Sequence, residues 1–252
     1  MGVIRGFAMS LGMFSVIPVP KGSWDEKYMR LTMPALPFVG LLIGAIWYGA
    51  AYFLKEVSAP LMIQSAIALF IPFFMSGFIH VDGYMDSADA VLSRRDTDEK
   101  RRILKDPHVG AFAVIAIIML MIFQLCSVYT VLETGKHLIA FVFIPVISRC
   151  AAGAAMLCLK PAFESGYAVS FRKGTTPRHT VFICATALAC LAAAGLTLRF
   201  SAWPLLAEAL VAAIATVYLY RQINGMSGDL AGCIITVSEF AALLCCALAY
   251  HD

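Results

Sequence analysis

The sequence predicts an all-α, polytopic integral membrane protein, a single bundle of about seven transmembrane helices spanning residues 1–252. Hydrophobic residues make up 61% of the 252 residues and charged residues only 14%, whereas charged residues approach a quarter of a soluble domain. The mean hydropathy of +0.83 supports the same class. No internal repeat and no separate soluble domain is visible, which indicates one membrane domain.

Seven apolar runs approach the roughly 20 residues that a helix needs to cross a bilayer. The sixth run carries Glu208, so we expect that helix to be tilted, buried by its neighbours or partly interfacial. Six spans plus one re-entrant or interfacial helix is an alternative. The runs are at about 32–54, 60–79, 109–132, 137–158, 179–198, 203–220 and 230–249.

Residues 1–20 begin like a signal peptide, with a charge followed by an apolar run. They end in Pro18 and Pro20 instead of the small residues that suit cleavage. We therefore predict a retained interfacial or short buried helix. The eight cysteines include no CxxC pair and are predicted to be small, buried and reduced. The net charge of +3, without a basic stripe, gives no indication of nucleic-acid binding.

The lysines and arginines predict an orientation in the membrane. If residues 80–108 lie inside, residues 1–31, 159–178 and 221–229 lie inside as well, and these four segments hold 15 of the 19 Lys and Arg residues. The opposite side has only Lys55, Lys136 and Arg199, while Arg149 falls within a span. The positive-inside rule therefore predicts that the polar segments share the cytoplasmic face.

Residues 80–110 form the longest polar stretch, HVDGYMDSADAVLSRRDTDEKRRILKDPHVG. Within it Asp82, Asp86 and Asp89 stand at i, i+4 and i+7, which on a helix places them inside an arc of roughly 60°. Carboxylates this close repel one another unless a cation lies between them or the face is solvated. Mg²⁺ is the natural cation, since it is usually shared between one or two carboxylates and substrate phosphate oxygens. The alternative is a solvated helix without a metal.

Basic residues follow the acidic motif within a few helical turns. Such a run often marks topology or contacts anionic lipids, but beside carboxylates it favours a magnesium-diphosphate site in which Arg and Lys neutralise phosphate charge. Arg95 and Lys105 are our candidates for this role. They are taken from the set Arg94, Arg95, Arg101, Arg102 and Lys105.

Two further polar residues flank this stretch. His80 is a candidate general base near neutral pH, or an interfacial polar residue with no chemical role. Asp106 precedes Pro107, a pairing that commonly starts a helix. Capping of that helix and ligand binding explain Asp106 equally well.

Arg149 and Glu239 each lie in the middle of an apolar run, where charges usually face a protein interior, a cavity or each other. Either they pair with each other without a catalytic role, or Arg149 holds a phosphate and Glu239 orients a metal-bound water or a basic side chain. The loop INGMSGDLAG contains Gly228 and Asp229. Glycines permit close backbone approach, so this loop is predicted to face a phosphate and to add a fourth carboxylate. A ligand-free turn is the alternative.

These motifs together resemble those of one enzyme family. HVDGYMDSADAV is similar to the H-x-D-G-x-x-D-x-x-D-G signature of cobalamin synthase, also called adenosylcobinamide-GDP ribazoletransferase. MFSVIPVP, LKDPHVG, ISRCAA, GMSGDLAG and SEFAALL resemble further elements of that family, in the same order and over essentially the whole chain. Ala90, His108 and Thr236 depart from the family's glycine, arginine and acidic residue.

The resemblance implies an activity and a place in the cell. The cobinamide-phosphoryl group of adenosylcobinamide-GDP would pass to the 3′-hydroxyl of α-ribazole or its 5′-phosphate, giving adenosylcobalamin or its 5′-phosphate and GMP, in a prokaryotic cell (inner) membrane. We expect Mg²⁺ to be held by the aspartates of the acidic motif, with Asp229 completing a second metal position. Arg149 and a cytoplasmic Arg or Lys would hold the phosphates, and His80 or an aspartate would take the hydroxyl proton.

Three rival classes share parts of this pattern. A CDP-alcohol phosphotransferase calls for D-G-x-x-A-R after its first aspartate pair, whereas this chain has DGYMDSADAV. A prenyltransferase calls for two separated aspartate-rich loops. An ion or solute transporter would place Arg149, Glu239 and the aspartates along an ion path. Clustering of the polar groups on one face, without an inverted repeat, disfavours the transporter.

Overall fold

The computed structural model describes residues 2–20, 22–135, 138–197 and 202–249, and over these ranges its regular secondary structure is helical. The predicted all-α class is confirmed. Eleven α-helices are described, and a short 3-10 helix, Glu26–Leu31, leads directly into the second of them. The α-helices are α1 (Gly2–Phe14), α2 (Thr32–Glu56), α3 (Leu61–Met75), α4 (Ile79–Leu92), α5 (Thr97–Ile103), α6 (Ala111–Thr134), α7 (Ala140–Cys158), α8 (Tyr167–Arg172), α9 (Pro177–Thr197), α10 (Trp203–Ile223) and α11 (Gly228–Leu248).

Six helices in the described part of the chain are long and apolar enough to cross a membrane. They are α2 with its 3-10 extension, α6, α7, α9, α10 and α11, which agrees with six of the predicted spans. The polytopic membrane class is thereby confirmed. Lys136 and Arg199, which the positive-inside rule assigned to the opposite side, lie outside the described residues.

The apolar run at residues 60–79 is divided between two helices instead of forming one straight span. Helix α3 ends at Met75, α4 begins at Ile79, and the two meet at 87°. The break occurs where Gly77 and Phe78 both adopt left-handed backbone conformations, with φ of 63° and 61°. Right-handed helix cannot continue through such residues. The described residues thus give six straight spans, or seven if the bent α3–α4 pair counts as one, which agrees with both predicted counts.

Helix α7 lies at the centre of the bundle, packed against α2, α9, α10 and α11. Two glycines of α2, Gly40 and Gly44, allow the closest of these approaches. A Cβ on Gly44 would lie 2.5 Å from the carbonyl oxygen of Val142, and one on Gly40 would collide with that of Pro145. The α2–α7 pair thus packs backbone against backbone.

The structure also settles the two segments whose membrane placement the sequence left open, the sixth span and residues 1–20. Glu208 of α10 is 0% exposed, so the sixth span buries its acidic residue among neighbouring helices. Helix α1 has 13 residues, about 20 Å at 1.5 Å per residue, which is too short to cross a bilayer core of roughly 30 Å. It packs against α2 as a short helix, which agrees with the short-helix prediction for residues 1–20.

Candidate active site

The three aspartates of the acidic motif lie on one helix, as the spacing predicts. Helix α4 carries Asp82, which is exposed, and Asp86 and Asp89, which are half-buried. The negative charges of Asp82, Asp229 and Asp89 all act on Asp86. The structure therefore brings the α4 aspartates close to Asp229, the predicted fourth carboxylate, which lies in the first turn of α11 and not in a loop.

A cavity of about 470 Å³ opens beside these acids. Asp82, Asp229 and His80 form its polar side, together with the backbone of Gly228. Its remaining walls are mainly apolar and include four aromatic residues. The volume falls in the range of small-molecule sites, which combine apolar walls with a few polar groups. The aromatic residues are Phe14, Trp24, Tyr167 and Phe171.

Gly83 allows α4 to lie directly against the start of α11. A Cβ at this position would be 2.6 Å from the carbonyl oxygen of Asp229 and 2.8 Å from its Cα. Gly232, one turn along α11, approaches the backbone of His80 in the same way, with a Cβ position 3.0 Å from its carbonyl oxygen. Glycine next to Asp82 is thus the reason that Asp82 and Asp229 reach the same cavity.

Substituting Gly83→Ala is expected to lower the free energy of unfolding by about 1–3 kcal/mol, because the added methyl group overlaps backbone atoms that cannot move independently. The measurement is the thermal unfolding midpoint in detergent. Gly49→Ala in α2 is the matched control, since no atom lies within 4 Å of its Cβ position. There alanine is expected to stabilise the helix by about 0.5–1 kcal/mol. Equal midpoints for the two variants would contradict the close α4–α11 contact.

Asp89 has a partner that the local sequence does not reveal. Its carboxylate accepts hydrogen bonds from the backbone N–H groups of Gly110, at 2.6 Å, and Ala113, at 2.9 Å. These groups belong to the N-cap and first turn of α6, where helix N–H groups lack partners within their own helix. Asp89 therefore caps α6 from a neighbouring helix, and each oxygen keeps a further lone pair for another ligand.

Substituting Asp89→Ala is expected to destabilise the protein by about 0.5–2 kcal/mol, the usual cost of losing a helix cap. Thermal unfolding in detergent measures this. Asp98→Ala on α5 serves as the control because Asp98 is exposed and accepts no hydrogen bond within the described residues. If both variants unfold at the wild-type temperature, the cap contributes nothing to stability.

The carboxylates of this site fit an Mg²⁺ ion that is shared with a substrate. Among residues 2–20, 22–135, 138–197 and 202–249, no three His, Cys, Asp or Glu side chains come together closely enough to hold a metal ion by themselves. Asp82 and Asp229 nevertheless line a common cavity. Two carboxylates with hard oxygen donors are what Mg²⁺ takes from a protein when waters and substrate phosphates complete its coordination. The residues therefore fit a metal shared with a phosphorylated substrate.

His80 lies at the wall of the same cavity, only 6% exposed. Thr236 on α11 donates a hydrogen bond of 3.1 Å to its carbonyl oxygen, and Phe14 stacks on its ring at 6.4 Å. Its Nε2 has no hydrogen-bond partner among the described residues. A buried imidazole nitrogen of this kind is available to a bound ligand.

Arg149 and Glu239 pair with each other inside the bundle. Arg149 Nη1 lies 2.6 Å from Glu239 Oε1, and Ser148 donates a 2.8 Å hydrogen bond to the same oxygen. Their side chains are 1% and 5% exposed, and neither lines the cavity of Asp82 and Asp229. Glu208 of α10 lies close enough for both charges to act on it. The geometry therefore shows the predicted contact between Arg149 and Glu239.

The candidate basic residues lie away from the cavity. The Lys105 ammonium sits 4.2 Å from the centre of the Phe163 ring, and Arg95 is exposed. Arg101 instead ties α5 to the C-terminal end of α10, donating hydrogen bonds of 2.9 Å to the carbonyl oxygens of Ile223 and Asn224. Arg101 thus holds the segment after α4 in place, and neither Arg95 nor Lys105 lines the cavity of Asp82.

Asp106 does not cap α6, because Gly110 occupies the N-cap position. The capping interpretation was wrong, since the chain runs four residues further before it becomes helical. Asp106 accepts a 3.0 Å hydrogen bond from the backbone N–H of His108, and its carboxylate lies 2.7 Å from that ring. The backbone hydrogen bond, followed by the ring contact, lowers the pKa of Asp106.

Sequence reasoning missed the partners that these residues find in space. Ser148 donates a hydrogen bond to the Glu239 oxygen that Arg149 contacts, and the backbone N–H of Gly110 donates one to Asp89. Glu208 lies near the pair, but its carboxylate oxygens have no hydrogen-bond partner among the described residues. The wall residues Trp24 and Tyr167 gave no recognisable signal, because isolated aromatic residues are ordinary in an apolar chain. Glu208 did give a signal, since an acid within a predicted span is rare and usually has a partner.

Comparison with known proteins assigns this chain to a family. A family model described as "Cobalamin-5-phosphate synthase" matches residues 6–247. The chain belongs to the cobalamin-5-phosphate synthase family. Its relatives include proteins named "Adenosylcobinamide-GDP ribazoletransferase". The relative from Clostridium perfringens is 35% identical over 95% of this chain and 96% of its own length.

Two further relatives carry the same name. That from Clostridium botulinum is 34% identical over 96% of each chain. That from Geobacillus kaustophilus is 31% identical over 93% of this chain and 92% of its own. No solved structure matches. The family resemblance seen in the motifs is confirmed, and the acidic motif of α4 and the loop before α11 lie within the matched region of this family of enzymes.

Proposed function

We propose that the protein is an Mg²⁺-dependent transferase of cobalamin biosynthesis. It moves the cobinamide-phosphoryl group of adenosylcobinamide-GDP to the 3′-hydroxyl of α-ribazole or its 5′-phosphate and releases GMP. The observation that carries this proposal is the convergence of Asp82 and Asp229, from two different helices, on one cavity with aromatic walls. The name shared by the relatives supports the substrate class.

The reaction requires a hydroxyl to attack phosphorus while a phosphate leaves. The 3′-oxygen of the acceptor forms a bond to the phosphorus of the cobinamide phosphate, and the bond from that phosphorus to the bridging oxygen breaks. GMP departs with the bridging oxygen and its electron pair. Mg²⁺ would supply neutralisation of the diphosphate and of the charge that develops on the leaving group.

The chain's own residues would position the reactants. Asp82 and Asp229 are the proposed ligands of the shared metal, with Asp86 beside them. His80, at the wall of the same cavity, would accept the proton of the attacking hydroxyl, a role that its Nε2 supports by having no hydrogen-bond partner among the described residues. The aromatic walls offer flat apolar surfaces to a nucleotide base and exclude bulk water. Proper orientation of two bound reactants accounts for much of the rate gain in such transfers.

We also propose that the cavity faces the cytoplasm of a prokaryotic cell (inner) membrane. Its polar side chains come from the start of α4 and the start of α11, and aromatic residues of α1 and α8 line it as well. Residues of α2 and α7 complete the wall. The polar and aromatic residues belong to the segments that the positive-inside rule assigns to one side. Nucleotide substrates would then reach the cavity without crossing the bilayer.

A direct assay tests the proposed function. Purified protein in lipid vesicles receives adenosylcobinamide-GDP, α-ribazole and Mg²⁺, and GMP and the cobalamin product are quantified by chromatography. We expect equal amounts of both products, and neither when the acceptor or Mg²⁺ is omitted. GMP formed without an acceptor would indicate a hydrolase. No GMP from the complete mixture would refute the proposed activity.

A further inference from the structure

A second cavity, of about 520 Å³, lies next to the acidic one and has the opposite charge. Lys27, Arg30 and Lys173 line it, and Glu26 is the one acidic residue among the described residues of its wall. Trp24 and Tyr167 line both cavities. A ligand that contacts these two rings can therefore extend from the carboxylates into the basic cavity.

The local structure explains why three cations converge there. Lys27 and Arg30 are three residues apart on the 3-10 helix Glu26–Leu31, and a 3-10 helix has three residues per turn, so their side chains point the same way. Lys173 is the C-cap of α8, which packs against that helix. Within the described part of the chain, none of the three lies within 4 Å of a carboxylate.

We propose that this basic cavity binds the 5′-phosphate of the acceptor nucleotide, an inference that rests on the function proposed above. Phosphate is recognised by Lys and by the planar fork of Arg, and the three positive charges suit its double negative charge. Trp24 and Tyr167, 52% and 59% exposed, present ring faces on which the base of the same nucleotide stacks. The acceptor would thus bridge the cavities, its phosphate on the cations and its 3′-hydroxyl toward Asp82.

Two acceptors that differ only in the phosphate provide the test. Initial rates are measured with α-ribazole 5′-phosphate and with α-ribazole, at saturating donor and Mg²⁺, for the wild type and for Arg30→Gln, Lys27→Gln and Lys173→Gln. Each variant is expected to raise KM for the phosphorylated acceptor about tenfold to a hundredfold, as for one charged hydrogen bond. KM for α-ribazole and both kcat values should stay within about twofold. Arg178→Gln, an exposed arginine of α9 that lines neither cavity, should change no constant.

Three outcomes overturn the proposal. Unchanged KM for α-ribazole 5′-phosphate means that the cations do not contact its phosphate. An equal rise for both acceptors means that they act on the base or on the fold. A rise in KM for adenosylcobinamide-GDP, with the acceptors unaffected, means that the cavity holds the GMP part of the donor instead.

Binding without turnover separates this inference from the proposed function. Calorimetry with α-ribazole 5′-phosphate alone is expected to show tighter binding than with α-ribazole in the wild type, and a preference that is about tenfold to a hundredfold smaller in Arg30→Gln. If the wild type turns over α-ribazole but shows no preference for the phosphorylated form, the activity stands and the phosphate site fails. If no acceptor is used but the binding preference is present, the site stands and the activity fails.

Discussion

Asp82→Asn is expected to lower the rate of GMP release by about a thousandfold while leaving the folded protein intact. Asparagine keeps the size of the side chain but removes the negative charge that holds Mg²⁺ against the diphosphate. Metal stabilisation of developing phosphate charge is worth several kcal/mol, and about 4 kcal/mol corresponds to three factors of ten in rate. Asp82 is exposed in the cavity and accepts no hydrogen bond from the described residues, so stability should not suffer.

GMP release is measured over a wide range of Mg²⁺ concentrations, alongside the thermal unfolding midpoint of each sample. Asp98→Asn is the matched control, because Asp98 is an exposed aspartate of α5 outside both cavities. It should retain wild-type rates. Full activity of Asp82→Asn at saturating Mg²⁺ would remove Asp82 from the metal site, and a matching loss in Asp98→Asn would indicate a nonspecific charge effect.

Membrane spans were predictable because each is a local property of about 20 consecutive residues. Composition and hydropathy place six of them close to where the structure has them. The bend within residues 60–79 was not predictable in this way. It depends on the left-handed backbone of Gly77 and Phe78, and a phenylalanine in that conformation is uncommon enough that no propensity indicates it.

The candidate site was likewise predictable only where it depends on residues close in sequence. The spacing of Asp82, Asp86 and Asp89 predicted their shared helix, since i, i+4 and i+7 fix a face wherever a helix forms. What each carboxylate contacts depends on residues distant in sequence. Asp89 meets the start of α6, 21 residues away, and the basic cavity joins a 3-10 helix to the end of α8. Only the packing of helices brings such groups together.

Arg149→Leu is expected to lower the free energy of unfolding by about 3–5 kcal/mol, the usual cost of removing one partner of a buried ion pair. The loss leaves Glu239 without its cation in a site where its side chain is 5% exposed. Unfolding is followed in mixtures of mild and denaturing detergents. Arg221→Leu, at the exposed end of α10, should cost only a few tenths of a kcal/mol to about 1 kcal/mol through the helix dipole.

The double variant Arg149→Leu/Glu239→Leu shows whether the loss comes from the pair itself. Replacing both members of a buried ion pair by apolar residues is often neutral or stabilising, so the double variant should recover most of the stability that Arg149→Leu loses. The coupling energy from the complete cycle should then be large, because the two side chains are in direct contact. Additive losses would mean that each residue acts through other neighbours.

Turnover by the same double variant distinguishes the two interpretations of Arg149. The pair lies off the cavity of Asp82 and Asp229, and Arg149 Nη1 is already occupied by Glu239, Ser148 and the carbonyl oxygen of Pro145. We expect a guanidinium held in this way to stabilise the bundle, although its Nε has no hydrogen-bond partner among the described residues. We therefore expect the folded double variant to release GMP at a rate within about tenfold of the wild type, since a misplaced scaffold costs less than a lost contact to the reacting phosphate. A stable double variant with no turnover would instead give Arg149 the phosphate-binding role.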